Sequence, residues 1–357
     1  MRIGITCNIQ GHAPRTAGAA EDWDEEFDRP ETVEMIAAAL RELGHEVEVL
    51  GDGPPLVRRL LDDPPDFAFN FAEGVGVGRS REARVPAVLE MFGVPYSGSD
   101  PLTLAATLDK DCAKRLVQSA GVRTAKWITV NLELGLRHPG LGKGSLSDEL
   151  AAAGMSFPLF VKPAYEGSSK GVGSKSIVAS LLELVDRVSE MAEMYRQPIM
   201  VEEFIAGDEF TVGVLGNDPP RVLGLMRVLP KSQAAASDPF VYSIEAKRDW
   251  RRLINYETPA RVSAEWEAKI RRATIQAYSA LGCRDVARVD FRMKDGEPYF
   301  LEVNPLPGLH PENGDLVMIA RGAGMSHPQL IQSIYHHACV RHRLASGVKS
   351  RHPSSGE

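Results

Sequence analysis

The sequence predicts an α/β protein that becomes α+β in its later part, and two regions predict it. Near the start, Arg2 to Cys7 and Glu46 to Leu50 read as short strands around a helical pattern, and Asp66 to Phe71 reads as a third strand. Strand–helix–strand order implies a parallel sheet with right-handed crossovers. Near the end, Val286 to Met293 and Pro298 to Val303 flank Asp295-Gly296, the turn signal of an antiparallel hairpin. The chain has 357 residues, 43% hydrophobic and 25% charged, enough for two or three domains of ordinary globular composition.

Taken in order, Asn8 to Phe27 is a polar loop with an acidic end. Asp28 is placed to cap a helix with Pro30 in its first turn and Gly44 at C′. Val33, Ile36, Ala37, Leu40 and Leu43 give that helix one apolar face. After the third strand comes E-G-V-G-V-G-R-S-R-E-A-R, and Ser80 is placed to cap a helix running to Phe92. An open parallel sheet binds ligands beyond its strand C-termini, which is where these two loops belong. The glycines lack a following G-K-S/T, so this is no P-loop, and taken alone such a turn is more often structural. Lys126 to Val130 reads as a strand, and Glu133 to Ser147 as loop. Phe160 to Gly173, F-V-K-P-A-Y-E-G-S-S-K-G-V-G, is a strand delivering Lys162 into a Gly/Ser loop, whose N–H groups and hydroxyls can close over phosphates. Met200 to Phe204 is a strand, Glu209 begins another, and Pro239 to Trp250 is loop. Ser263 to Leu281 is an amphipathic helix stopped at Gly282, and Ser326 opens the last helix with a capping box.

The hairpin carries the most chemistry. Arg288 and Asp290 share one strand face, and Glu302 and Asn304 share another. A two-residue loop at Asp295-Gly296 pairs Lys294 with Glu297 and puts Asp290 and Glu302 on opposite faces, whereas a longer loop or a bulge brings them together. Together, two carboxylates and an amide oxygen suit a hard cation such as Mg²⁺, and the guanidinium suits phosphate or an oxyanion. Without further context the same residues would equally make a solvated hairpin face with an ordinary ion pair.

L-E-V-N-P-L-P-G-L with R-V-D upstream resembles the D-alanine–D-alanine ligase branch of the ATP-grasp family, and the resemblance runs from about Asp66 to Ile334. V-P-Y-S-G-S-D, T-L-D-K-D-C-A-K-R-L, the Lys162 loop and E-A-K at residues 245–247 follow in the family's order. The resemblance implies an ATP-grasp fold with an N-terminal open-sheet preATP-grasp domain (1–120), a central lid subdomain (121–213), a C-terminal subdomain with the metal site (214–340) and a disordered tail (341–357). It implies ATP with two Mg²⁺ ions, which Mn²⁺ can replace, and an amide bond made through an acyl phosphate. Carried over by position, Asp290, Glu302 and Asn304 hold metal. Lys110, Lys162, Ser168, Ser169 and Lys247 meet phosphate, with Glu245 orienting Lys247. Glu202 lies on the adenine side and Glu209 on the ribose side. Arg288, Ser168, Gly308 and Arg248 are the catalytic candidates.

Several positions depart from the family. Its first-substrate His is Glu73 here, and its lid Tyr is Arg248. The N-terminal glutamate is matched at best by Glu26, and H-P-E-N-G-D follows Gly308, offering His310 and Asn313. The expected substrate is therefore more charged than alanine, with Glu73 paired to Arg248 across the lid as the plainer alternative. The rival readings are an authentic D-alanine–D-alanine ligase, an acid–thiol ligase, and a nucleotide-binding sensor without turnover. Expected partners are small carboxylate and amine substrates in a homodimer. Net charge −7 with no basic stripe argues against nucleic acid, and no apolar run reaches membrane-spanning length. Four scattered cysteines suit a reducing cytoplasm. His310, His336 and His337 lack a convincing metal-ligand pattern and read as surface or substrate-loop residues.

Overall fold

The computed structural model describes residues 1–12, 15, 18–131, 146–231 and 240–344. Three sheets carry the architecture. The first holds β1 (Arg2–Cys7), β2 (Glu46–Val49) and β3 (Phe67–Phe71), all parallel in the order β2-β1-β3. The helix Pro30–Arg41 connects β1 to β2 and buries Val33, Ile36, Ala37 and Leu40 against the sheet. The second sheet is antiparallel and holds β4 (Trp127–Val130), β5 (Leu159–Pro163), β6 (Ile177–Val178) and β7 (Ile199–Glu203), in the order β4-β7-β5-β6. The third, also antiparallel, holds β8 (Glu209–Leu215), β9 (Arg221–Pro230), β10 (Ile254–Glu257), β11 (Val286–Lys294) and β12 (Glu297–Asn304), in the order β10-β9-β8-β11-β12. This mixed architecture, with the parallel sheet at its N-terminal end, is the arrangement the resemblance implied.

The hairpin β11–β12 resolves the register question. Its turn has two residues, Asp295 and Gly296, both with positive φ (53° and 73°), the primed turn that matches strand twist. Lys294 therefore pairs with Glu297 and Phe291 with Phe300. One step further a bulge inserts Leu301, and Asp290 then stands directly opposite Glu302 while Arg288 stands opposite Asn304. One extra residue has turned Glu302 onto the face of Asp290.

Some helix boundaries differ from expectation. Arg29, not Asp28, is the N-cap of Pro30–Arg41, and no side chain caps that end. Gly44 (φ 83°) lies two residues beyond the C-cap Glu42, one past the C′ position. Ser80 caps nothing, because the next helix is Arg84–Met91 with Ala83 at its N-cap. The reason is shared: Asp28 lines a cleft, and Arg81 is drawn inward by buried carboxylates, so neither stretch is free to cap. Residues 244–248 form a helix capped by Ser243, where loop was expected. Arg341, assigned to the tail, ends the helix His327–Arg341, and Leu146–Ala152 is helical. His342 to Leu344 are also described and pack after that helix, whereas residues 345–357 of the expected tail and 133–145 of the expected loop lie outside the described residues. No helix among the described residues is long and apolar enough to cross a membrane, and the four cysteines are free thiols.

Candidate active site

Two adjoining clefts open where the sheets meet, of about 860 and 720 Å³. Lys110, Glu166, Arg288 and Glu302 line both, so the hairpin carboxylate and its guanidinium stand at the boundary.

The first cleft lies between the two antiparallel sheets. β5 supplies Phe160 and Lys162, β7 and its exit supply Glu202 to Ile205, and β8 supplies Glu209. Arg292 holds Glu209 through Nε (3.2 Å) and Nη2 (3.0 Å), with its guanidinium 5.0 Å above the Phe204 ring. Glu202 is buried between Lys162 (2.7 Å) and Lys114 (2.6 Å). Burial opposes its charge, but the two ammoniums prevail and hold it down at about 2. Lys247 lies 4.9 Å over the Tyr242 ring, and burial beside Arg288 lowers its pKa. Glu245, expected to orient Lys247, is exposed instead, because its helix turns it outward. Four lysines, Lys110, Lys162, Lys170 and Lys247, thus line one cavity with carboxylates around them.

At the boundary Arg288 forks between Asp290 (Nη2–Oδ2 2.9 Å) and Asp315 (Nη1–Oδ2 2.9 Å). Asn304 donates to Asp290 at 3.4 Å, and Lys110 stands 3.4 Å from Glu302. Burial pushes Asp290 up to about 6 despite Arg288, with Glu302 and Asp315 adding repulsion. Glu302 is also desolvated, yet Lys110, Lys162 and Arg288 hold it at about 2. Among the described residues no group of three or more His, Cys, Asp or Glu is arranged as a metal centre. The hairpin set is two carboxylates and an amide, a hard-cation donor set when substrate phosphates and water complete the shell. Asp290 and Glu302 stand opposite each other with Asn304 beside them, so by donor chemistry the residues fit Mg²⁺.

The loop 167–173 crosses the top of the boundary. Ser168 and Ser169 both sit at positive φ (47° and 60°), a conformation that non-glycine residues hold only when their surroundings enforce it. Ser169 donates to the Tyr242 carbonyl (2.9 Å), and Gly171 donates to Asp22 (3.0 Å). Lys170 pairs with Glu166 and reaches Glu26 at 3.4 Å. Arg81, 1% exposed, bonds Glu26 (2.7 Å) and Glu166 (3.3 Å) and donates to the Tyr165 carbonyl at 2.5 Å. The N-terminal loop and the glycine-rich turn are thereby tied to the phosphate-type loop.

Glu26, Glu73, Ser168 and Gly308 line the second cleft, as the sequence placed them. Arg248, His310 and Asn313 line neither cleft. Arg248 bonds Glu25 through Nε (2.7 Å), so the alternative in which it pairs with Glu73 is not what the structure shows. His310 points to Glu31 (2.7 Å) and accepts from the Glu312 N–H. Sequence reasoning missed Lys114, Arg81, Lys170, Glu166, Arg292 and Asp315. Each reads locally as a solvated surface charge, and only partners far away in sequence reveal its burial.

Comparison with known proteins follows the same lines. The family described as "D-ala D-ala ligase C-terminus" matches residues 116–336. A D-alanine–D-alanine ligase of Aquifex aeolicus is 34% identical over 304 residues, 85% of this chain and 93% of its own. An uncharacterized protein of Sinorhizobium fredii, y4sG, is 32% identical over 346 residues, 94% of this chain and 96% of its own. The crystal structure of a D-alanine–D-alanine ligase from Bacillus anthracis complexed with ATP superposes with a TM-score of 0.70 at 24% identity, covering 96% of this chain and 98% of that one.

Proposed function

Because the chain belongs to the D-alanine–D-alanine ligase family, we propose that it is an ATP-dependent carboxylate–amine ligase whose substrate is more charged than alanine. The observation that carries the ligase reading is the boundary itself, where Lys110, Arg288 and Glu302 face a lysine-rich cavity on one side and a polar cleft on the other. ATP belongs in the first cleft, with adenine toward Glu202 to Ile205, ribose toward Glu209 and phosphates toward Lys110, Lys162 and Lys247. Asp290, Glu302 and Asn304 would hold Mg²⁺, which supplies charge neutralisation for the phosphates.

A substrate carboxylate oxygen attacks the γ-phosphorus, the bond to the β–γ bridging oxygen breaks, and ADP leaves. The nitrogen of a neutral amine then attacks the acyl carbon, and inorganic phosphate departs with the acyl C–O bond cleaved. Holding the reactants in line removes much of the entropic barrier. Lys110 and Lys162 meet charge moving to phosphate oxygens, and Arg288 meets charge on the tetrahedral intermediate. The 167–173 loop keeps water from the acyl phosphate.

The substrate departs from alanine because Glu73 lies in the second cleft, where its carboxylate finds no anionic group to receive but suits a cation. A second reading, authentic D-alanine–D-alanine ligation, is favoured by the 34% identical relative of that name. ADP release with D-alanine as sole amino acid at millimolar concentration separates them. Slow release supports the charged-substrate reading, and efficient formation of D-alanyl-D-alanine contradicts it.

A further inference from the structure

The carboxylates of the second cleft divide into two sets. Glu26 and Glu166 are satisfied by Arg81 and Lys170, with Gln197 donating to Glu166 at 2.6 Å. Asp28, Glu73 and Glu82 line the same cleft, and among the described residues no hydrogen bond or ion pair reaches their side chains. Glu82 is only 7% exposed, and what it exposes lies on the wall of the cleft. A buried carboxylate without a partner is costly, and the half-buried Asp28 and Glu73 beside Glu82 add like charge to the same cleft. The strain registers in each: burial pushes Asp28 up to about 7 and Glu82 up to about 8, and Glu73 well above the usual carboxylate range.

We propose that Asp28, Glu73 and Glu82 bind a dibasic acyl donor, an amino acid whose α-ammonium and side-chain cation these three carboxylates share. The inference rests on the ligase reading above. The donor's own carboxylate lies at the Lys110–Arg288 end, because only there does the cleft meet the phosphate side. One ammonium reaches only part of a three-carboxylate set, whereas a second cation gives the remainder a partner. The cleft opens to solvent, so a long side chain can run along it toward water.

The test is ADP release with ATP, Mg²⁺ and single amino acids of both enantiomers: lysine, ornithine and arginine against norleucine and alanine. Norleucine keeps the lysine chain length and lacks the terminal cation. The inference expects kcat/KM for a basic amino acid to exceed that for norleucine by roughly 10- to 100-fold, the worth of one charge-assisted hydrogen-bonding site. Glu73→Gln and Glu82→Gln, checked for folding by circular dichroism, should each narrow that ratio about tenfold, mainly through KM. Norleucine or alanine used as well as lysine would overturn this inference and leave the ligase reading standing. An unchanged ratio in both folded variants would overturn it too. No ADP release with any amino acid would overturn the ligase reading and this inference with it.

Discussion

Glu202 shows how much of this site is charge held out of water. It is 3% exposed and lies between Lys162 and Lys114, the latter fully buried. Glu202→Gln leaves both ammoniums without their counter-charge, and removing one partner of a buried pair typically costs about 3–5 kcal/mol. The pH dependence has a definite sign. Glu202's folded pKa is lowered from the ordinary glutamate value of 4.5 to about 2, so its contribution is complete above about 4.5 and is lost as pH falls toward 2. Denaturant unfolding should therefore show a constant gap between wild type and variant at pH 5–7, closing in acid. A gap that widens in acid would contradict the pairing. For Asp290→Asn and Glu302→Gln the expected outcome is folded protein with ligation abolished, a loss of several kcal/mol of transition-state stabilisation at tenfold in rate per 1.4 kcal/mol. Near-normal turnover in both at saturating Mg²⁺ would remove the metal assignment. The carboxylates and lysines of these roles were legible in the sequence because they sit in distinctive strings. Arg81, Lys114 and Lys170 were not, since a charged residue in a polar helix or loop looks solvated until its distant partner is placed.

Among the elements, the hairpin was legible to within a single residue. Alternation and Asp295-Gly296 indicated both strands and the turn, but local pattern cannot show whether a longer loop or a bulge aligns Asp290 with Glu302. The extra residue is Leu301, and an apolar residue gives no warning of a bulge. Asp28 and Ser80 were read as caps by residue type alone, and demand from the cleft overrode that preference. The phosphate-type loop was legible from its glycines and serines, but not its ties to Asp22, Glu26 and Tyr242. Those ties set an expectation for exchange. Amides of 167–173 should exchange faster without nucleotide and slow when an ATP analogue with Mg²⁺ is added, because phosphates add acceptors for their N–H groups. Equal protection in both states would show that the loop is no lid.

Across the whole molecule, the clefts lie where the sheets meet, so ligand and fold stabilise one another. An ATP analogue with Mg²⁺ at about a hundred times its Kd should raise the unfolding free energy by about 2.7 kcal/mol, read as a higher Tm. No shift would show that the first cleft does not take nucleotide. The sequence conveyed this arrangement only through the family resemblance. That the N-terminal strands run parallel follows from local pattern, but the two antiparallel sheets join strands separated by long stretches, such as β8 with β11. The central claim is that a substrate carboxylate is activated as an acyl phosphate. It is tested most directly by supplying the best amino-acid substrate with ¹⁸O in its carboxylate and analysing the released phosphate by mass spectrometry. The account predicts one ¹⁸O in inorganic phosphate for each amide formed, alongside ADP. Amide formed with unlabelled phosphate, or with AMP and pyrophosphate in place of ADP, would contradict it.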